Sequence, residues 1–387
     1  MNKDLTISQA MESNASYSTF QRSAVITVSV FVFLMSISLM GLSIGTLTGE
    51  TSTVILGAIE NPFIGLFIGL LSTALLQSSS TVTSILVAAV AARGINLSDA
   101  IPIVMGANIG TTLTSTIVSM GYITKKKEFI RAVSAGTVHD FFNIFMVVLL
   151  FPLEMKYHFL ESGSHYISTF IGFDQAAVKT GYNPLKFFTL INSWVVDKTG
   201  GVVGLVLSVI LLFTCLKFIS KLLYNTLIGK TKKKFETTVF SNTFKSFGWG
   251  LLITSAAQSS SLTTSLIVPL VATGKVKLKR AFQFIMGANL GTTITALLAA
   301  TFQSEAAISI ALVHLLFNAL GVILFLLIPF LSKIPVFLAK KMGVFTLRMR
   351  IIGFAYILIM FFLLPFTLIY ASRGLGKTDT TEIQSER

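Results

Sequence analysis

Apolar residues fill long blocks of this chain that polar ones rarely interrupt. The blocks fall at residues 24–47, 52–92, 100–120, 131–152, 199–216, 246–273, 282–302, 307–330 and 351–371. Most reach the ~20 residues a helix needs to cross a hydrocarbon core. Two do not fit a single crossing. Residues 246–273 are too long for one straight helix and short for two, and their middle reads Thr254-Ser255-Ala256-Ala257-Gln258-Ser259-Ser260-Ser261. Residues 52–92 carry the equivalent motif, with Pro62 early. Non-helical backbone survives at membrane depth only where it is buried in protein or lines a wet cavity. Both blocks are therefore expected to be re-entrant hairpins or broken helices, with the break at the polar motif.

The same pattern occurs twice. Gln77-Ser78-Ser79-Ser80 returns as Gln258-Ser259-Ser260-Ser261, and Gly106-Ala107-Asn108-Ile109-Gly110-Thr111-Thr112 returns as Gly287-Ala288-Asn289-Leu290-Gly291-Thr292-Thr293. The offset is 181 residues in both cases, and residues 61–117 align with 242–298 without gaps at 25 identities in 57 positions. A third element recurs at offset 175, where His139-Asp140-Phe141-Phe142-Asn143 parallels His314-Leu315-Leu316-Phe317-Asn318. Duplication of polar motifs inside apolar sequence is a signature of transporters built from two repeats. The expected organisation is a polar tail at 1–23, repeat 1 at 24–152, an extracytoplasmic loop at 153–198 and repeat 2 at 199–330. A membrane segment at 331–371 and a polar tail at 372–387 complete it. Residues 24–47 are longer than a signal h-region and lack a clear small-residue cleavage site after them, so a retained first helix is expected.

Charge supplies orientation. Only 12% of residues are charged against 53% hydrophobic, with mean hydropathy +0.80 and net charge +14. The excess sits in a few loops, which suits a cytoplasmic membrane face rather than nucleic acid. Lys125, Lys126, Lys127 and Arg131 mark one such loop, and residues 217–245 another. Between equivalent loops the basic bias changes sides. Arg93 and Asp99 follow the first hairpin, but Lys275, Lys277, Lys279 and Arg280 follow the second; three lysines follow the first Gly-Ala-Asn segment and no base follows the second up to Glu305. The expected fold class is an all-α polytopic membrane protein with two inverted-topology repeats. The lone Cys215 excludes an intramolecular disulfide, and no metal cluster is evident.

Gln-Ser-Ser-Ser offers amide and hydroxyl donors and acceptor oxygens. A helix break there adds free backbone N–H and C=O groups. N–H groups at a helix start attract anions, and the oxygens suit a hard cation such as sodium. Asn108, Thr111, Thr112 and Ser115 form a polar stripe, with Asn289, Thr292, Thr293 and Thr295 as its counterpart. Small and hydroxylated residues often only pack membrane helices, but a four-residue block duplicated without change points to function. Asp140 is an intramembrane acid, and such acids are functional by default; pairing with His139 or a loop lysine is the structural alternative. His139 and His314, with Asn143 and Asn318 four residues on, read as supporting hydrogen-bonders. Lys and Arg are absent from the motif cores, so an anion there calls for hydrogen bonds, helix ends and co-bound cations.

These motifs, with Thr137-Val138-His139-Asp140-Phe141-Phe142-Asn143, resemble the type II sodium–phosphate cotransporter family in a bacterial form over roughly residues 24–371. The resemblance implies sodium-coupled import of inorganic phosphate by alternating access, and no enzyme activity or cofactor beyond the coupling sodium. It also implies that Gln77, Ser78, Ser79, Ser80, Gln258, Ser259, Ser260 and Ser261 line the phosphate site. Gln258, Ser259, Thr292 and Thr295 look like a sodium site, mirrored by Gln77, Thr111 and Thr114. Asp140 falls where electrogenic members keep an acid for an additional sodium. Vertebrate members carry a longer external loop with disulfides; the short, cysteine-free loop here implies a bacterial inner membrane. Counting crossings puts residues 372–387 outside, where the family pattern puts both termini inside. Another oxyanion such as sulfate stays open on the motifs alone, and a serine hydrolase using His139 and Asp140 is the alternative of a different class.

Overall fold

The structure, a computed structural model, describes residues 19–47, 61–171, 186–228, 238–301 and 303–370. Residues 1–18, 48–60, 172–185, 229–237, 302 and 371–387 lie outside these, and with them most of the expected N-terminal tail, the start of the expected 52–92 block and the C-terminal tail. Among the described residues the chain is helical, with seven helices long and apolar enough to cross a membrane. Polarity is turned inside out relative to a soluble protein. Asn108, Asn143, Asn289, Thr112 and Thr293 are buried, while Val206, Ile210, Leu252, Ile323, Phe354 and Phe366 are exposed. Such an apolar exterior is stable only against lipid.

In repeat 1, α1 (Thr19–Leu47) precedes α2 (Pro62–Leu76) and α3 (Ser79–Ala91). Next come α4 (Leu97–Gly110), α5 (Leu113–Met120) and α6 (Lys126–Tyr157). Asn61 caps α2 through Phe63 N–H, and Pro62 occupies the first turn, where its missing donor costs nothing. α2 and α4 run parallel in close contact. A methyl group at Gly106 would collide with the Leu66 carbonyl, and one at Gly110 with that of Leu70. For α4 to start again beside the foot of α2, α3 must return the chain. Residues 62–91 are thus a hairpin whose tip is Gln77-Ser78, as the polar block predicts.

Repeat 2 has the same construction. α7 (Phe159–Ile171) and α8 (Lys186–Thr199) lead to α9 (Gly201–Ile228) and α10 (Thr243–Ala257). α11 (Ser260–Ser265) and α12 (Ile267–Ala272) form the returning arm, followed by α13 (Leu278–Ala300) and α14 (Glu305–Leu327). Gly287 meets the Phe247 carbonyl and Gly291 that of Leu251, each contact offset by 181 residues from its repeat 1 counterpart. α15 (Pro329–Arg348) and α16 (Ile351–Leu358) close the chain; a π-helical turn (Ile359–Leu363) and helix 364–370 continue the last span.

Contacts between the halves are reciprocal. α3 packs on α14, and its counterpart α12 packs on α6; α7 packs on α14, and α15 packs on α6. The two hairpins also enter from opposite ends. Phe63, at the foot of the first, packs its ring against Phe151, with ring centroids 5.1 Å apart, near one end of α6. The foot of the second, Gly274, lies against the Arg131 guanidinium near the other end. Twenty helical residues separate 131 from 151, about 30 Å.

Two expectations change. Residues 153–198 are not simply a loop, since α7 and α8 occupy most of the described part. α7 packs on α14 and buries Leu160, Ser164 and Ser168, and α8 packs on α1, with Asn192 Nδ2 donating to the Met35 carbonyl at 3.3 Å. Segment 331–371 holds a separate helix, α15, whose Lys333, Lys340, Lys341 and Arg348 interrupt any apolar run.

Candidate functional site

Each hairpin turns on one glutamine in the left-handed region, Gln77 (φ 53°, ψ 29°) and Gln258 (φ 51°, ψ 28°). That conformation costs a residue with a Cβ about 1 kcal/mol, and its recurrence in both copies marks a constrained site. The next residue is extended and caps the following helix. Ser78 Oγ accepts from Thr81 N–H at 3.2 Å, and Ser259 Oγ accepts from Leu262 N–H at 3.3 Å. The tips meet: Ser80 Oγ donates to the Gln258 carbonyl at 3.0 Å, across a sequence separation of 178 residues.

Between the tips lies a cavity of about 570 Å³. Gln77, Ser78 and Thr114 line it from one repeat, and Gln258, Ser259 and Ser261 from the other. Ser79, Ser80 and Ser260 are buried behind it, where Ser79 accepts Thr83 Oγ1 at its carbonyl. Thr111 and Thr292 turn their hydroxyls back onto the carbonyls of Ala107 and Ala288, at 2.9 and 3.0 Å. Thr114 and Thr295 differ: their buried hydroxyls have no hydrogen-bond partner among the described residues. The same holds for Thr73 and Thr254, which pack against Gly110 and Gly291. Sequence reasoning missed this second pair, although Thr73 and Thr254 are identical at offset 181. It also assigned Lys217 only to a loop. Lys217 lines the cavity, with Nζ 4.2 Å from the Phe213 ring centroid.

Behind the tips, four asparagines close a ring across the repeats. Asn289 Nδ2 donates to Asn143 Oδ1 at 2.9 Å and to Asn318 Oδ1 at 2.7 Å. Asn318 Nδ2 donates to Asn108 Oδ1 at 3.2 Å, and Asn143 Nδ2 to the Asn108 carbonyl at 2.6 Å. His139 Nε2 joins at 3.0 Å from Asn289 Oδ1, whereas neither ring nitrogen of the equivalent His314 has a partner among the described residues. The amide–amide bonds of the ring fix one arrangement of this part of the core, although His139 Nδ1 has no partner among the described residues.

Asp140 stands apart from the cavity. It pairs with neither His139 nor a lysine: Tyr356 Oη donates to it at 2.8 Å and Thr116 Oγ1 at 3.1 Å. The serines of the motifs form no hydrogen bond with His139 or Asp140, so the hydrolase arrangement is not assembled. A group of possible metal ligands does occur elsewhere, at Glu154, His158 and Glu161. Its buried member, Glu154, already accepts the N–H groups of Leu160 and Glu161 at 2.5 and 3.3 Å and so caps α7.

Fold and site together define a multi-pass helical membrane protein with paired hairpins meeting at a polar centre. The chain belongs to the Na+/Pi-cotransporter family, whose model matches residues 32–172 and 210–359. Among curated relatives, human sodium-dependent phosphate transport protein 2B is 30% identical over 404 residues, covering 80% of this chain and 58% of that protein. The 2A proteins of sheep and rat are each 31% identical, covering 79% of this chain and 60% of theirs. The chain thus spans about three-fifths of the length of these relatives. No solved structure matches it.

Proposed function

We propose that this protein imports inorganic phosphate coupled to sodium, by alternating access, with no catalytic step and no resident cofactor. The observation that carries the reading is the convergence of both Gln-Ser-Ser-Ser tips on one cavity. Family membership and the printed names of the relatives support it. Ser78 and Ser259 hydroxyls, the Gln77 and Gln258 amides and the free N–H groups at the start of α3 supply donors for a phosphate. The Lys217 ammonium adds attraction. The orphaned oxygens of Thr73 and Thr114, and of Thr254 and Thr295, supply ligands for sodium in two equivalent places. A buried hydroxyl left unpaired costs about 1–3 kcal/mol, and a hard cation takes such oxygens as ligands. Ser79, Ser80, Ser260, Thr111 and Thr292 then shape the site from behind.

Reciprocal contacts and hairpins entering from opposite ends support two repeats of inverted topology, the design in which alternating access exchanges one repeat's conformation for the other's. Basic loops at 124–131 and 275–280 share one end, which the charge rule makes cytoplasmic. A bacterial inner membrane fits the absence of cysteines from residues 153–198. Asp140 holds a further sodium beside Thr116 and Tyr356. Uptake of radiolabelled phosphate into proteoliposomes tests the function: an inward sodium gradient should drive accumulation, and excess sulfate should not compete. Uptake independent of sodium, or sulfate competing as well as phosphate, would refute the reading.

A further inference from the structure

At the end of the molecule opposite the foot of the first hairpin, two clefts adjoin. One, of about 590 Å³, opens between α6, the turn joining α12 to α13, and α15. Arg131, Lys277, Lys279 and Lys340 line it, and no carboxylate does. None of these four bases forms an ion pair among the described residues. The second, of about 790 Å³, runs along α15 beside α6 and shares Lys340 and Val344 with the first. Phe141, Phe337, Leu338 and Phe345 form its apolar walls, and Lys340, Lys341 and Arg348 also line it. Phe141 lies ten residues along α6 from Arg131, about 15 Å deeper in the membrane direction.

We infer that the two clefts form one site for an anionic phospholipid. The headgroup phosphate sits among Arg131, Lys277, Lys279 and Lys340, and an acyl chain lies along Phe141, Phe337 and Phe345. Charge complementarity selects the headgroup, since basic pockets between membrane helices on the positively charged face hold anionic lipids. A base cluster with an apolar groove leading from it toward the hydrocarbon distinguishes a lipid from a free phosphate ion. The site is well anchored. Close approach of Gly343 to the Ile130 carbonyl and Ser134 Oγ pins α15 to α6, and Arg131 lies against Gly274, whose φ of +79° brings the turn backbone within reach. A lipid here would tie the foot of the second hairpin to α6, the helix that carries His139, Asp140 and Asn143. The inference does not depend on what the protein transports.

Native mass spectrometry of the full chain, titrated with phosphatidylglycerol against phosphatidylcholine, tests it. One phosphatidylglycerol should be retained in preference to phosphatidylcholine. Replacing two bases, Lys277→Gln with Lys340→Gln, should weaken its retention about thirtyfold. Phe337→Ser should weaken it too, and Lys156→Gln at the other end should not. Lys279→Gln alone, which removes an exposed base, serves if the double variant does not fold. Inorganic phosphate at millimolar concentration should fail to displace the lipid. Equal retention by wild type and the base variants, or displacement by inorganic phosphate, would overturn the assignment.

Discussion

The two repeats agree where backbone meets backbone and differ where a charge or a proline has been placed. Gly69, Gly106 and Gly110 make the contacts that Gly250, Gly287 and Gly291 make in the second copy. Gln77 and Gln258 adopt the same dihedral angles within a few degrees. Yet α3 is continuous, whereas its counterpart divides into α11 and α12, with Pro269 standing where the first copy has Ala88. Proline removes one helical hydrogen bond and crowds the carbonyl four residues back. Asp140 faces Leu315 in the alignment, and His139 is bonded where His314 is not. Close packing thus preserves the symmetry that builds the site, and single side chains break it.

The packing half of that comparison is the easiest to break. Gly106→Val and Gly287→Val each drive a side chain into a neighbouring backbone, and each should cost ~3 kcal/mol or more in thermal unfolding. Gly41, with open space around its Cβ position, should accept Ala with little change. Tolerance of one core substitution but not the other would end the equivalence of the copies.

The charge half is tested at Asp140. Two sodium ions with a phosphate dianion move no net charge, and a third moves one inward. Wild-type uptake should therefore rise with an inside-negative potential. Asp140→Asn should lose that dependence while keeping some sodium-driven uptake. Undiminished potential dependence in the variant would reduce Asp140 to a partner of Tyr356.

Smaller effects sharpen the contrast between the histidines. His139→Leu leaves Asn289 Oδ1 without its donor and should cost ~2 kcal/mol, while His314→Leu removes no hydrogen bond and should fall within ~0.5 kcal/mol of wild type. Equal costs would mean that the observed asymmetry carries no energy. The mildest change is Lys217→Gln. It should raise KM for phosphate about threefold at low salt and less at high salt, because screening acts on an exposed charge. An unchanged KM would remove Lys217 from the site.

Much of this was legible in the sequence because the duplication exposed it. Matching blocks located both hairpin tips. Other features depend on partners distant in sequence. Tyr356 reaches Asp140 across 216 residues, and nothing local announces it. Thr73 and Thr254 look like ordinary helix-packing hydroxyls until burial shows that they have no hydrogen-bond partner among the described residues. Lys217 sits at the end of an apolar run, where a base ordinarily marks a loop. α7 is short and α15 is interrupted by Lys333, Lys340, Lys341 and Arg348, so neither gives a spanning signal; α7 rests on α14 and α15 on α6.

In the proposed function, two copies of one motif build a single phosphate site. Equilibrium binding of phosphate to the purified protein in sodium counts the sites directly. One phosphate per chain is expected, abolished by Gln77→Ala alone and by Gln258→Ala alone in protein that remains folded. Two phosphates per chain, with each substitution removing only its own, would contradict it.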